Sequence, residues 1–199
     1  DHQCQHCLEQ PPAFERAWTL FPYLPPLQDA ICGFKYRGKF RLTYPLATLM
    51  IRAIPAAIDA DLIVPVPLHE GRLREREFNQ SLLLADLLSR HLNLPVVATA
   101  LVRVLATVPQ TTLTRPERSR NLRRAFAVQN AGILAGRRVL LVDDVFTTGT
   151  TVNQCAKTLL KAGASAVHVL TLARTIDTSL VPDRVLAEHA KRSSMGFGI

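Results

Sequence analysis

The chain has 199 residues, 48% of them apolar, with 24 Lys and Arg against 16 Asp and Glu for a net charge of +8. That suits one α/β domain with a sizeable core and an appendage, and no apolar run approaches the ~18 residues that span a bilayer, so membrane insertion is not expected. The positive excess fits an anionic ligand, nucleic acid, or both.

The first residues, Asp1-His2-Gln3-Cys4, do not read as a signal peptide, and a start without Met is what a fragment or a processed product would show. Cys4-Gln5-His6-Cys7 is one C-x-x-C pair. A structural zinc site takes about four ligands, and Cys32 and Cys155 fall on distant segments that read as helical. The pair is therefore either half of a zinc module or two unligated thiols. Four Cys without a regular framework place the chain in a reducing cytoplasm, not among secreted disulfide scaffolds.

Trp18–Tyr23 reads as a short strand. Pro25 and Pro26 open a helix to about Phe34, which Lys35-Tyr36-Arg37-Gly38-Lys39 breaks. Those cations are a solvated helix end, or contacts to a phosphate or a partner substrate. Leu42–Ile54 is patterned as an amphipathic helix. Asp61–Val66 reads as a buried strand that Pro65 ends early or bends, and Pro67 holds Val66 extended.

In the following Leu68–Gln80, Arg72, Arg74 and Arg76 alternate with acids. They form a mixed-charge surface loop or, since guanidinium forks match phosphate oxygens, a pyrophosphate clamp at a strand's carboxyl end. Asn79 is placed to cap a helix over Gln80–His91, with Leu82, Leu83, Leu87 and Leu88 as its core face. Val96–Val104 reads as a strand. Thr107–Arg124 then carries Arg115, Arg118, Arg120, Arg123 and Arg124 with almost no acid, which fits a solvated basic helix or a functional loop.

Val139-Leu140-Leu141-Val142 is the apolar run of a strand buried on both faces. Asp143 and Asp144 follow where that strand must end, and open α/β sheets bind ligands beyond their strands' carboxyl ends. Thr147-Thr148-Gly149-Thr150-Thr151 leads into a helix over Val152–Lys161. Helix N-termini present unpaired N–H groups that hold phosphate, Gly149 permits a tight turn, and carboxylates accept from paired sugar hydroxyls. The stretch fits a phosphorylated ribose; two solvated acids before a capped helix are the plainer account. Ala166–Ala173 is a further strand, Val181–Lys191 a helix, and Arg192–Ile199 a disordered end. The alternation of strand and helix gives α/β class: a mostly parallel sheet with helices on both faces. No G-x-x-x-x-G-K-S/T run is present, which speaks against an NTPase that uses the acids to hold a metal, and no G-x-G-x-x-G follows a strand.

Val139 to Thr151 closely resembles the phosphoribosyl-pyrophosphate (PRPP) signature of type I phosphoribosyltransferases. The resemblance implies that Asp143 and Asp144 bind the ribose hydroxyls and that Thr147, Thr148, Gly149, Thr150 and Thr151 wrap the 5′-phosphate. Pro65-Val66-Pro67-Leu68, then Arg72-Leu73-Arg74-Glu75-Arg76, then Phe78-Asn79-Gln80-Ser81 resemble the family of the bacterial competence protein ComF and its relative GntX, with Glu77 in place of a usual glycine. The Lys35–Gly38 break, Gln110, Leu113, Arg118, Asn121 and Ala125-Phe126 share that likeness, which covers roughly residues 1–175.

By this resemblance the fold is type I phosphoribosyltransferase-like. Residues 1–17 are the remnant of an N-terminal Cys-rich, zinc-finger-like module, 18–175 the phosphoribosyltransferase-like domain, and 176–199 a tail. Members usually begin with more C-x-x-C pairs, so Cys4 and Cys7 are a partial zinc site whose Zn²⁺ belongs to the full-length module. Pyrophosphate falls to Pro67, Leu68, Arg72, Arg74 and Arg76, and Lys35 to the acceptor or a phosphate. A basic flexible loop with Gln110, Arg115, Arg118, Arg120, Asn121, Arg123 and Arg124 closes over the site, where exclusion of water protects a cationic sugar. PRPP with Mg²⁺ would donate a 5-phosphoribosyl group to an unidentified acceptor and release pyrophosphate. Hypoxanthine-type members carry an acid where this chain has Thr147, so no general base is assigned. The alternative is a competence protein that senses PRPP or nucleotide without turnover and serves DNA uptake. Single-stranded DNA or DNA-processing proteins are then the expected partners, and either reading admits a homodimer.

Overall fold

The computed structural model describes residues 11–36, 39–56, 58–104 and 125–176. In chain order the elements are β1 (Arg16–Pro22), α1 (Leu27–Tyr36), α2 (Thr43–Ala53), β2 (Leu62–Pro65), α3 (Glu70–Arg76), α4 (Gln80–Leu92), β3 (Leu101–Arg103), β4 (Phe126–Val128), β5 (Arg138–Phe146), α5 (Thr150–Lys161) and β6 (Ala166–Arg174). Four strands form a parallel sheet in the order β1-β6-β5-β2. β3 and β4 pair separately as an antiparallel ribbon.

The apolar runs read from sequence are the two central strands. Val139–Val142 are buried, as are residues Ala166 to Ala173 of β6. Because successive strand residues face opposite ways, each strand feeds two cores. Leu62, Val64, Val139, Leu141, Val167 and Val169 pack with Val152, Cys155, Ala156 and Leu159 of α5. Ile63, Leu140, Val142, Leu170 and Leu172 pack with α1, α2 and α4. A sheet covered on both faces accounts for the near-continuous hydrophobic strands, and all its carboxyl ends share one rim. On the opposite, amino rim, Arg138 joins β5 to the start of β2: its N–H and one guanidinium nitrogen each donate to Asp61 at 2.8 Å, and it pairs with Asp59.

Several local expectations are corrected. β5 does not end at the acids but runs to Phe146, because the equally long β6 supplies partners past them: Asp143 faces Thr171 and Val145 faces Ala173. The Arg-rich stretch after β2 is the helix α3 and not a loop; His69 Nδ1 caps it by accepting from the Gly71 N–H at 3.1 Å. In Val96–Val104 only Leu101–Arg103 is strand, and Val96 makes a single bridge to Ile63. The core face of α4 is Leu84, Ala85 and Leu88, with Leu83 and Leu87 at its margin. Leu82 is half-buried outside it. Arg16 and Ala17, assigned above to the appendage, are strand residues paired with His168 and Val169. Pro65 is the last residue of β2, as its missing N–H requires of a strand interior.

Candidate ligand site at the carboxyl rim of the sheet

The carboxyl rim collects the end of β5, the loop after it, the start of α4, the end of α1 and the helix α3. Asp144 is 6% exposed, and its Oδ1 lies 2.8 Å from Lys35 Nζ at the last turn of α1. Lys35 is thus neither a solvated helix end nor, in this state, a free phosphate contact. Asp143 Oδ1 accepts from Ser81 Oγ and from the Asp144 N–H, each at 2.9 Å. Burial, and next the neighbouring Asp144 charge, push the Asp143 carboxyl up to about 7, against the opposing pull of Lys35, the Ser81 hydroxyl and the Asp144 N–H. Tyr23, whose hydroxyl lies 3.3 Å from Cys32 Sγ, is also pushed up, mainly by burial, then by Cys32 and Asp144.

The loop begins as β5 ends. Gly149 has φ +74°, and a Cβ there would sit 2.6 Å from Phe146 Cζ, so the turn both requires positive φ and leaves no room for a side chain. The Phe146 ring is itself braced edge-on by Phe14, with the Arg174 guanidinium 5.4 Å from its centroid. Gly149 is the N-cap of α5 and offers no capping side chain. Thr147 and Thr148 are exposed, and Thr148 Oγ1 is 2.7 Å from Thr150 Oγ1. Amides, helix dipole and hydroxyls therefore converge a few residues from the acids, an arrangement that suits phosphate.

The three arginines of α3 diverge. Arg74 turns to Glu70, 3.9 Å away. Arg76 lies over the Tyr36 ring at 4.6 Å. Arg72 is near enough to Arg103 that it adds to burial in lowering the Arg103 pKa. Cys155 and Asp143 act on Arg103 in the opposite sense, and the Arg103 backbone bridges to His69 at the start of α3. Pro67 and Leu68 lie between β2 and α3. Gln110, Arg115, Arg118, Arg120, Asn121, Arg123, Arg124, Cys4 and Cys7 lie outside the described residues. Ser81 entered the sequence reading only as the end of the Phe78–Ser81 motif, with no role, and Tyr23 had none either: a serine in a helix's first turn and a tyrosine just past a strand carry no spacing signal. An open groove of about 590 Å³ runs along β4 and the second half of α5, lined by Lys157 and Lys161 among others, and includes neither acid nor the Thr147–Thr151 loop.

Among the described residues no three His, Cys, Asp or Glu side chains converge. Asp143 and Asp144 stand side by side, and both carboxylates already have partners. Among the described residues, then, the protein alone does not supply the six oxygens in near-octahedral array that Mg²⁺ wants. Among the described residues no helix is long and apolar enough to cross a membrane.

The phosphoribosyl transferase domain family matches residues 79–192. The DNA utilization protein YhgH of Escherichia coli (strain K12) is 38% identical over 179 residues, covering 87% of this chain and 78% of that protein. Competence protein F of Haemophilus influenzae is 36% identical over 178 residues, covering 86% and 78%. Among solved structures, the glutamine PRPP amidotransferase from B. subtilis aligns at 20% identity and a TM-score of 0.46, over 79% of this chain but only 34% of that one.

Proposed function

Because this chain belongs to the phosphoribosyl transferase domain family, alongside competence protein F and the DNA utilization protein YhgH, we propose that it binds PRPP at the carboxyl rim and transfers the 5-phosphoribosyl group to an acceptor, releasing pyrophosphate. The turn at Gly149 carries this reading: it begins α5 with no side chain of its own, the Thr150 N–H meeting only Thr148 Oγ1, at 3.4 Å, among the described residues, a few residues after an acid pair on the central strand. The 5′-phosphate would take the α5 amides and the Thr147, Thr148 and Thr150 hydroxyls. The ribose hydroxyls would donate to Asp143 and Asp144, the latter exchanging part of its contact with Lys35. Of the α3 arginines, Arg72 and Arg76 remain for pyrophosphate, whereas Arg74 is turned to Glu70. Positioning of the reactants, with fixed donors where negative charge departs, is the contribution these residues make. Mg²⁺, which the family resemblance implies, would have to arrive on the ligand's own oxygens.

Thermal unfolding with and without PRPP tests the binding. At a hundredfold excess over Kd the ligand should add about 2.7 kcal/mol of stability, and the pair Asp143→Asn with Asp144→Asn should remove that gain. Equal stabilisation of the doubly substituted chain would place the site elsewhere. Pyrophosphate release from PRPP with a panel of nucleobases and amines then tests transfer; silence across the panel leaves a PRPP sensor. A second reading, DNA binding, is supported by the net charge of +8 and by the DNA utilization named for the E. coli relative.

A further inference from the structure

A closed circuit of hydrogen bonds underlies the acid pair. The Val66 N–H donates to Val142 O at 2.9 Å. Val66 O accepts from Asn79 Nδ2 at 3.0 Å. Asn79 Oδ1 accepts from the Ser81 N–H at 3.0 Å, and Ser81 Oγ donates to Asp143 Oδ1 at 2.9 Å. Asp143 follows Val142 in the chain, so the ring closes. Helix capping alone would need only the bond from the Ser81 N–H to Asn79 Oδ1; the other side-chain bonds reach Val66, just past β2, and Asp143 on β5.

Asp143 Oδ1 takes two donors, Ser81 Oγ and the Asp144 N–H, while Oδ2 has no hydrogen bond to any described residue. Two bonds on one oxygen fix the carboxyl plane and decide which oxygen is left over. Ser81 is 4% exposed, so its hydroxyl has little competing water.

We propose that Ser81 is a positioning residue: held by Asn79, it orients Asp143 so that Oδ2 is the oxygen offered to a ribose hydroxyl, and it ties that acid to the Val66–His69 loop where pyrophosphate would lie. The role rests on the PRPP reading above and extends it to residues that never touch the ligand. A change in the loop after β2 is then felt at the sugar, because the same ring holds both.

The test measures PRPP affinity of the full chain against pH for the native protein, Ser81→Ala, Ser81→Thr and Ser81→Cys, with ligand-free melting of each as the folding control. Native affinity should rise as pH passes about 7, where Asp143 ionises. Ser81→Ala should weaken binding about tenfold and move the midpoint to higher pH, since the hydroxyl is one of the groups holding the Asp143 value down. Ser81→Thr, which keeps the hydroxyl, should restore both; Ser81→Cys, a weaker donor, should fall between and carries the comparison if Ser81→Ala does not fold. Native binding of PRPP with an unmoved affinity and midpoint in Ser81→Ala or Ser81→Cys overturns the positioning role and leaves the PRPP site standing. No PRPP binding by the native chain overturns both.

Discussion

Asp143 is under opposed pressures. Enclosure and the adjacent Asp144 favour its neutral form; Lys35, Ser81 and a backbone N–H favour its charge, and the neutral form gains, with the group at about 7 against an ordinary 3.8. The folded chain therefore binds this proton more tightly than the unfolded one. The resulting stabilisation is complete below the ordinary carboxylate range and is lost as pH rises through about 7. Asp143→Asn, which cannot ionise, should match the native chain at about pH 4 and exceed it in ligand-free stability above about pH 8, by an amount on the order of a few kcal/mol. Urea unfolding at both pH values checks this, and a gap that stays constant between them would contradict the burial of this acid. The acid pair itself was legible, since two carboxylates after an apolar run and before a Gly-Thr turn form a local pattern. Its restraints were not: Ser81 lies 62 residues from Asp143, and Lys35 reaches Asp144 from another helix. No local periodicity encodes such pairings.

Among elements, α3 shows where pattern reading stops. It has no buried residue, so it has no apolar stripe to betray a helical period; its helicity rests on the His69 cap and pairs such as Glu70 with Arg74. By contrast, the Asn79 cap of α4 and the apolar face of α5 followed from residue type and spacing, and both are present. In α4, three consecutive leucines blurred the phase of the helix, and the face chosen was off by part of a turn. Thr107–Arg124, read as a loop or a basic helix, lies outside the described residues. Where α3 ends, Glu77 holds φ +66° while its N–H bonds Leu73 O at 2.7 Å. A left-handed L-residue costs ~1–2 kcal/mol, and glycine returns ~0.5–1 of that as lost chain entropy. Glu77→Gly should therefore stabilise the protein by roughly 0.5–1 kcal/mol, seen as a higher denaturant midpoint at unchanged slope. An unchanged or lower midpoint would mean that Glu77 makes a compensating contact at the helix end.

For the molecule as a whole, charge and topology act together. With a net charge of +8, some attraction to polyanions is unavoidable, so binding alone says little. If nucleic acid is a true partner, a single-stranded oligonucleotide should remain bound at ~0.15 M salt, with log K falling linearly in log salt at about −0.7 per phosphate engaged. Release well below that salt concentration would reduce the second reading to nonspecific attraction. Parallel topology, meanwhile, gives the sheet two unlike rims, one of carboxyl ends and one of amino ends. The clasp of Arg138 on Asp61 and Asp59 closes the amino rim, and beside it Ser165 is exposed, its N–H bonded to Arg137 O at 2.9 Å. A cysteine introduced there could carry a dye, a bead or a sensor-chip tether. Molecules immobilised through that handle would all turn the carboxyl rim of the sheet, with the exposed Thr147 and Thr148, toward the medium.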